Sequence, residues 1–209
     1  MIKKCPLCTA DAGIFFETPQ KRYFRCSACA AVFLDPTSRV SSDDEKKRYE
    51  LHRNDPSNHG YLAFLAPLIR EIEERFDVRH EGLDFGSGPE PVLADILRAK
   101  GYSVALYDPY FSPDQTTLAR TYDFIVCCEV IEHFCDPAKE FALMRGLLKP
   151  GGALICMTDP YVETLNFKNW YYKNDATHVF FYHEKTFELI KERFGFSSLE
   201  VKGRVAVFF

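Results

Sequence analysis

The sequence predicts an α/β protein, with a mostly parallel sheet covered by helices on both faces and preceded by a small cysteine-rich module. Three observations predict this arrangement. The chain has 209 residues, of which 46% are hydrophobic, enough for one sizeable core. From residue 60 onward, short continuous apolar runs alternate with segments of helical periodicity, as in sheets buried on both faces. Four of the eight cysteines are crowded into residues 5–29.

Composition excludes several classes of protein. The 19 Phe and 11 Tyr, with abundant aliphatic residues, exclude disorder as the main state. The most apolar helical stretch, residues 61–69, contains a proline and is far shorter than the roughly 20 residues of a membrane span. No apolar signal-peptide core follows the first residues, and the net charge of −4 gives no overall attraction to nucleic acid. We therefore expect a cytoplasmic protein without a membrane partner; the sequence does not indicate its oligomeric state.

Three segments differ in composition. Residues 1–40 contain the cysteine cluster and short β-like runs, and they carry six Lys or Arg against three Asp or Glu. Residues 41–59 are polar and charged, which is typical of a linker, here partly helical. Residues 60–209 hold the alternating pattern and form the predicted α/β domain.

The elements of the α/β domain follow from periodicity and from end signals. Apolar residues at helical spacing predict helices, and Asp136 and Gly195 suit an N-terminal and a C-terminal cap. Continuous apolar runs predict buried strands, and a closing hairpin adds an antiparallel strand. The predicted helices are 61–76, 91–100, 137–148 and 186–194, and the predicted strands are 82–86, 103–108, 123–128, 153–157, 198–201 and 205–209.

The cysteine module has the spacing of a structural zinc site. Cys5 and Cys8 form one Cys-x-x-Cys pair, Cys26 and Cys29 form the other, and 17 residues lie between the pairs. Four thiolates fill a tetrahedral zinc sphere, so the predicted zinc is structural and leaves no position for catalysis. Because about 40 residues cannot build an independent core, the metal would supply the folding energy of this zinc ribbon.

A glycine loop follows the first strand of the α/β domain. Residues 83–90 read Leu-Asp-Phe-Gly-Ser-Gly-Pro-Glu, and Gly86 and Gly88 allow a tight turn that approaches a ligand closely. Asp108 ends the next strand, where a carboxylate can accept both hydroxyls of a ribose. The alternative is a purely structural turn in which Asp84 acts as a cap.

The residues around this loop discriminate between nucleoside cofactors. Pro91 stands where a dinucleotide fingerprint needs a third small residue, and the chain has no Gly-Lys-Ser/Thr phosphate loop. Asp84, two residues before Gly86, would repel a pyrophosphate but can hydrogen-bond an ammonium group. A ligand with a ribose, an amine and no phosphate is S-adenosylmethionine, which is the cofactor we predict.

Residues 60–209 resemble the class I S-adenosylmethionine-dependent methyltransferases. The resemblance rests on the glycine loop, on Tyr107-Asp108, on Tyr-Asp-Phe-Ile-Val-Cys-Cys-Glu-Val-Ile-Glu-His at 122–133, and on Leu-Leu-Lys-Pro-Gly-Gly at 147–152. It implies a seven-stranded sheet with an antiparallel last strand. Only 13 residues separate Asp108 from Tyr122, where the family usually fits a helix and a strand. Residues 116–118 are then a stub of that strand, and the adenine-binding residue stays open.

The resemblance also implies roles for individual residues. The glycine loop holds the methionine part of the cofactor, the acidic residue after the second strand holds the ribose, and the end of the fourth strand forms the wall beside the sulfonium. The implied cofactor-binding residues are Asp84, Gly86, Ser87, Gly88, Asp108, Cys128 and Glu129.

Two regions beyond strand ends supply catalytic candidates, since methyl transfer needs an aligned acceptor and sometimes a base. Glu132 and His133 follow the fourth strand and are expected to touch the acceptor; alternatively, His133 caps a helix or buttresses the loop. Asp175 and His178 lie in a long aromatic-rich loop, where Asp175 is predicted to orient His178 as a base. Alternatively, Asp175, Thr177 and His178 pin the loop by internal hydrogen bonds, and the aromatic residues 170–172 serve for packing.

The favoured function is methyl transfer to a small or medium-sized biosynthetic molecule, with an oxygen, nitrogen or carbon acceptor. One alternative is an RNA methyltransferase that binds RNA through the basic and aromatic residues 22–25, although the ribbon's charge of +3 is small for that purpose. A second is an inactive interaction protein, which the intact glycine loop and Asp108 oppose. We expect the ribbon to be a structural lid or a protein contact.

Overall fold

The computed structural model describes residues 1–51 and 54–209. No helix within these ranges has both the length and the apolar character needed to cross a membrane. The helices are α1 (Ser42–Glu50), α2 (His59–Glu73), α3 (Val92–Ala99), α4 (Pro137–Leu147) and α5 (Glu184–Phe194). The strands are β1 (Ile2–Lys4), β2 (Asp11–Glu17), β3 (Arg22–Cys26), β4 (Val32–Leu34), β5 (Glu81–Phe85), β6 (Ser103–Tyr107), β7 (Tyr122–Cys128), β8 (Leu148–Met157), β9 (Phe180–Phe181), β10 (Leu199–Lys202) and β11 (Val205–Phe208).

The larger sheet confirms the α/β prediction but has six strands in the order β10-β11-β8-β7-β5-β6. Four adjacent strands, β8, β7, β5 and β6, are parallel, and β6 forms one edge of the sheet. The hairpin β10–β11 joins through an antiparallel pairing of β11 with β8. The seventh strand implied by the resemblance is absent from the described residues. The connection between β6 and β7 is too short for a helix and a strand, and the segment expected to be a strand stub forms a 3-10 turn at Thr117–Ala119.

Helices cover both faces of this sheet. Phe124 and Val126 of β7 pack into one apolar cluster with residues of α2 and α3. The alternate residues Ile125 and Cys127 point to the other face and pack with residues of α4 and α5. This two-sided burial explains why β7 is a continuous apolar run, since side chains of successive strand residues alternate between faces. Asp136 caps α4 and Gly195 ends α5 with a left-handed backbone, as predicted.

The cysteine module forms an antiparallel sheet in the order β1-β2-β3-β4-β9. The last of these strands belongs to the long loop after β8, and Phe180 and Phe181 pair with Phe33 and Val32 of β4. Residues of the module also share an apolar core with α5 and the larger sheet. The first 40 residues are therefore joined to the α/β region by backbone hydrogen bonds and by packing.

The helix α1 lies in the segment expected to be a partly helical linker. Its Glu45 accepts a hydrogen bond from the Tyr110 hydroxyl at 2.9 Å, and its Arg48 pairs with Asp175 at 2.9 Å. The Tyr49 ring meets the His133 ring edge-on, with 5.2 Å between ring centres. These contacts place α1 against the loops that follow β6, β7 and β8.

Candidate functional site

A cavity of about 760 Å³ opens at the carboxyl ends of β5, β6 and β7. This is the edge at which open parallel sheets bind ligands. All seven residues implied to bind the cofactor line it, together with two of the four catalytic candidates. The site residues lining the cavity are Asp84, Gly86, Ser87, Gly88, Asp108, Cys128, Glu129, His133 and His178. Glu132 and Asp175 are not among its lining residues.

The glycine loop is held close to the sheet. The backbone N–H groups of Gly86 and Ser87 both donate to the Tyr107 carbonyl, at 2.7 and 3.2 Å. Gly86 has a φ of +83°, and a Cβ there would lie 2.6 Å from the side chain of Val130. The loop therefore requires glycine at this position for both conformation and space. The buried Ser87 hydroxyl makes no hydrogen bond within the described part of the chain, which leaves a polar group for a ligand at the cavity wall.

The carboxylate of Asp108 is buried and organised by backbone groups. One oxygen accepts from the N–H groups of Tyr110 and Phe111 at 2.8 and 3.0 Å, and the other accepts from Gly88 at 3.0 Å. A carboxylate has about four lone-pair sites, so these three bonds leave acceptor capacity toward the cavity. The arrangement suits hydroxyl donors such as those of a ribose.

Asp84 is the second buried carboxylate of the cavity, with 4% of its surface exposed. Burial raises its pKa to about 7, the guanidinium of Arg98 acts in the opposite direction, and the negative charge of Asp108 raises it further. A cationic ligand group beside Asp84 would favour the ionised form. The site therefore fits an ammonium group better than a phosphate, whose charge would add to the repulsion.

The wall at the end of β7 is built by Cys128 and Glu129. Burial raises the pKa of the Cys128 thiol well above its usual range, so the thiol stays neutral. Glu129 has a left-handed backbone with φ +52°, and its N–H donates to the Met157 carbonyl at 2.9 Å. Such a conformation is costly for a residue with a side chain and is found where a site demands it.

The side chain of Glu129 leads to two residues that sequence reasoning did not assign to the site. Its Oε2 accepts from Arg204 at 2.8 Å and from the Tyr172 hydroxyl at 3.1 Å. Burial, followed by the negative charge of Glu132, raises the pKa of Glu129 to about 8. Arg204 lies in the turn of the terminal hairpin, and no local pattern links it to a glutamate 75 positions earlier.

Glu132 is fully buried behind the cavity wall. Its Oε2 accepts from the Thr158 hydroxyl at 3.1 Å, and its Oε1 accepts from the Tyr172 hydroxyl. Burial raises the pKa of Glu132 to about 7. Tyr172, assigned to packing from the sequence, thus hydrogen-bonds both glutamates and shapes the site from behind.

His133 and His178 face each other across the cavity edge, with 4.8 Å between ring centres. Nδ1 of His133 lies 3.0 Å from the Thr177 carbonyl, and Nδ1 of His178 lies 2.7 Å from the Tyr172 carbonyl. Burial lowers the pKa of His133, which favours the neutral ring. His133 therefore lines the cavity and also buttresses the neighbouring loop.

Asp175 is placed differently from its predicted role. One of its oxygens accepts from the backbone N–H and the hydroxyl of Thr177, at 3.0 and 2.7 Å, and the other pairs with Arg48 of α1. The carbonyl against Nδ1 of His178 comes from Tyr172 instead. These contacts correspond to the loop-pinning alternative for Asp175, with an added tie to α1.

The four predicted metal-binding cysteines are brought together, with one ligand atom of each within 4.8 Å of the others. Sγ of Cys5 lies 3.8 Å from that of Cys29, and Sγ of Cys8 lies 3.4 Å from Cys26 and 3.8 Å from Cys29. Zinc–sulfur bonds of about 2.3 Å in a tetrahedron require sulfur–sulfur distances of about 3.8 Å. The donor set therefore fits zinc.

The two cysteine turns repeat each other's backbone geometry. The N–H of Thr9 donates to the Cys5 carbonyl at 2.9 Å, and the N–H of Ala30 donates to the Cys26 carbonyl at 3.2 Å. Thr9 and Ala30 have φ of +64° and +60°, the left-handed region that glycine adopts without strain. Two residues with side chains are thus held in a glycine conformation at equivalent positions.

The curated relatives of this chain include ubiquinone biosynthesis O-methyltransferases. The chain is 28% identical over 131 residues to a ubiquinone biosynthesis O-methyltransferase of Escherichia coli O127:H6, covering 56% of this chain and 52% of that protein. It is 26% identical over 143 residues to the same enzyme of Cronobacter sakazakii, covering 61% and 57%. The chain therefore spans about half the length of the curated relatives it matches.

Solved structures share the fold. An O-methyltransferase family protein of Burkholderia thailandensis superposes with a TM-score of 0.51 at 15% identity, over 69% of this chain and 55% of that one. Phosphoethanolamine N-methyltransferase 2 of Haemonchus contortus, solved with S-adenosyl-L-methionine, gives 0.52 at 19% identity, over 82% and 48%. A family model described as "Methyltransferase domain" matches residues 57–201. Since that match covers more than half of the chain, the protein belongs to the methyltransferase domain family.

Proposed function

We propose that this protein is an S-adenosylmethionine-dependent methyltransferase that acts on a small or medium-sized biosynthetic molecule. The observation that carries the proposal is one cavity in which two buried carboxylates, Asp84 and Asp108, flank the glycine loop. The cavity volume of about 760 Å³ is typical of small-molecule sites. Membership of the methyltransferase domain family and the names of the curated relatives support the same activity.

Each cofactor residue has a distinct task in this proposal. When bound, the cofactor supplies a methyl group on a positively charged sulfur. Asp108 accepts the ribose hydroxyls, Asp84 binds the ammonium, and the glycine loop approaches the methionine part closely. The neutral Cys128 thiol and the backbone of Glu129 border the sulfonium, and α1 with the loop after β8 keeps water from the reacting atoms.

The acceptor would enter on the side of His133 and His178, which line the part of the cavity beneath α1. Contacts of α1 with Tyr110 and Asp175 hold the helix beside this part of the cavity. An RNA acceptor is not favoured. In the RNA alternative residues 22–25 contact RNA, but Tyr23 and Phe24 are buried, and Arg22 and Arg25 pair with glutamates.

We infer that the four cysteines hold a structural zinc. We also infer that the ribbon braces the loop after β8, which carries His178 on the acceptor side of the cavity. The ribbon strand β4 pairs with β9, which directly follows the segment carrying Tyr172 and His178. The Tyr23 hydroxyl reaches the Lys173 carbonyl at 3.4 Å, and the Thr186 hydroxyl donates to the Cys29 carbonyl at 2.8 Å. The thiolate donor set also supports a cytoplasmic location, where cysteines stay reduced.

The activity is tested by calorimetry with S-adenosylmethionine and by a screen of acceptors for release of S-adenosylhomocysteine. Saturable binding at one site per chain, lost in a cofactor-site variant, supports the proposal. If the folded protein binds neither S-adenosylmethionine nor S-adenosylhomocysteine, the methyltransferase assignment is wrong.

The brace is tested by hydrogen exchange on protein with and without zinc. One zinc per chain is expected by elemental analysis, and zinc removal should speed exchange at Phe180 and Phe181 far more than in β5. Equal exchange in both states would contradict the bracing role, whereas a zinc-free purified protein would contradict the metal itself.

A further inference from the structure

We propose that Glu132, His133 and His178 form a second metal site, which binds a divalent first-row transition cation and presents it to an oxygen atom of the methyl acceptor. The role of the cation toward a methyl acceptor rests on the proposed function. Binding of the cation by the three side chains does not depend on that function. The site differs from the cysteine tetrad in its donor atoms and in its position beside the cavity.

Geometry gathers the three donors. One ligand atom of each of Glu132, His133 and His178 lies within 4.8 Å of the other two. Nε2 of His178 is 4.0 Å from Oε1 of Glu132. Neighbouring ligands bound at about 2.0–2.2 Å from a common cation lie about 2.8–3.6 Å apart. The three side chains would therefore have to close by roughly 1 Å to coordinate one cation together.

The orientation of both imidazoles is that of metal ligands. Nδ1 of His133 is against the Thr177 carbonyl, and Nδ1 of His178 is against the Tyr172 carbonyl, so each Nδ1 carries the proton. The lone pair of each ring is then on Nε2. A metal-binding histidine almost always donates its other ring N–H to a carbonyl or carboxylate, which fixes the ring and its tautomer.

The charge around Glu132 favours a cation. Its carboxylate is fully buried and accepts hydrogen bonds from two neutral hydroxyls, those of Tyr172 and Thr158. Among the described residues, no Lys or Arg forms an ion pair with Glu132, and the nearby Arg204 pairs with Glu129. A buried carboxylate without a cationic partner is costly, and a bound dication would compensate it.

The donor set also indicates the kind of metal and its use. Two imidazoles and one carboxylate suit first-row transition cations better than Mg²⁺ or Ca²⁺, and three protein ligands leave coordination positions open. Because His133 and His178 line the cavity, the open positions face the acceptor. A cation there would lower the pKa of an acceptor hydroxyl, so that the acceptor binds as the oxyanion and its proton is left in bulk solvent before methyl transfer. The acceptor oxygen forms its bond to the methyl carbon, and the carbon–sulfur bond breaks with its electron pair remaining on sulfur.

The test uses the purified full chain with zinc already in the ribbon. Mn²⁺ is the probe, because thiolates bind it poorly and its free form has a strong paramagnetic resonance signal. We expect one Mn²⁺ per chain. His133→Gln and His178→Gln should each weaken Mn²⁺ binding by roughly tenfold or more. The matched control is His80→Gln, at a half-buried histidine just before the opposite end of β5, which should leave Mn²⁺ affinity unchanged. Thermal unfolding verifies that each variant is folded.

Two results overturn the metal site: absence of Mn²⁺ binding by the folded wild type, or equal Mn²⁺ affinity in the wild type and in both histidine variants. S-adenosylhomocysteine affinity is measured on the same samples. Cofactor binding without Mn²⁺ binding rejects this inference alone, whereas Mn²⁺ binding without cofactor binding rejects the methyltransferase proposal and retains the metal site. A general-base role for His178 predicts activity that chelators leave unchanged, and this result would also contradict the metal site.

Discussion

The carboxylate of Asp108 accepts the backbone N–H of Gly88 at 3.0 Å, which ties the end of β6 to the glycine loop after β5. The same carboxylate holds the turn at Tyr110 and Phe111 through its other oxygen. One side chain therefore organises two loops and still has acceptor capacity for a ligand.

Replacing Asp108 should reduce the affinity for the cofactor more than it reduces the stability of the fold. Asp108→Asn loses a charged acceptor, and we expect S-adenosylhomocysteine affinity to fall by about 1–3 kcal/mol in calorimetry. Asp114→Asn is the control, because Asp114 is an exposed aspartate of the following loop, and it should bind normally. Unchanged affinity in folded Asp108→Asn would rule out the ribose assignment.

Asp84→Asn should weaken cofactor binding and should raise the stability of the fold by an amount that depends on pH. The pKa of Asp84 is raised from its ordinary value of 3.8 to about 7 by burial. Between these values the folded state binds the extra proton, so wild-type stability falls as pH rises toward 7 and is then constant with respect to this group. Asparagine carries no charge at any of these pH values. The variant's stability advantage over the wild type should therefore grow from pH 4 to 7.

Urea titrations at several pH values measure this advantage, and calorimetry at pH 8 should show weaker cofactor binding by the variant. A stability difference that is independent of pH would mean that Asp84 does not titrate in this range. Cofactor affinity equal to that of the wild type would contradict the ammonium contact.

Alanine substitutions at Gly86 and Gly88 give a matched comparison within the glycine loop. Both have positive φ, but a Cβ at Gly86 would meet Val130 at 2.6 Å, whereas a Cβ at Gly88 meets nothing within 4 Å. Gly88→Ala should cost about 1–2 kcal/mol from the left-handed backbone alone. Gly86→Ala should cost more and should also displace the loop. Denaturant unfolding and cofactor calorimetry compare the two, and equal costs would mean that the Val130 contact does not limit the loop.

Ala30→Gly should stabilise the protein. Ala30 has φ +60°, so glycine relieves the strained backbone, and the gain exceeds the added flexibility of the unfolded chain by on the order of 1 kcal/mol. Ala28→Gly in the same turn is the control; Ala28 is not among the residues with positive φ, so its replacement should destabilise slightly. Thermal unfolding of zinc-loaded protein measures both. A lower melting temperature for Ala30→Gly would contradict the strain argument.

Local signals predicted most of the elements and the placing of the glycine loop and Asp108 at one cavity. Asp136 and Gly195 carry cap chemistry that acts within one helical turn, and both caps are present. The glycine loop and Asp108 follow consecutive parallel strands, whose ends necessarily meet at one sheet edge. The segment between β6 and β7 shows the limit of resemblance, because its length excluded a seventh strand that the family pattern implied.

Contacts across long sequence separations could not be predicted in this way. No local sequence pattern distinguishes Tyr172 from a tyrosine that serves only for packing. In the folded chain its hydroxyl lies between Glu129 and Glu132. Asp175 carries a plausible signal for orienting a histidine, yet its carboxylate pairs with Arg48, which arrives from α1.

Periodicity, turn chemistry and ligand spacing act over a few residues, and they predict the strand and helix pattern, the glycine loop with its two acidic partners, and the grouping of four cysteines. The strand that the ribbon shares with the loop after β8, and the convergence of Glu132, His133 and His178, appear only in the folded chain. Such relationships depend on which surfaces the chain buries together, and burial is set by the packing of the whole molecule.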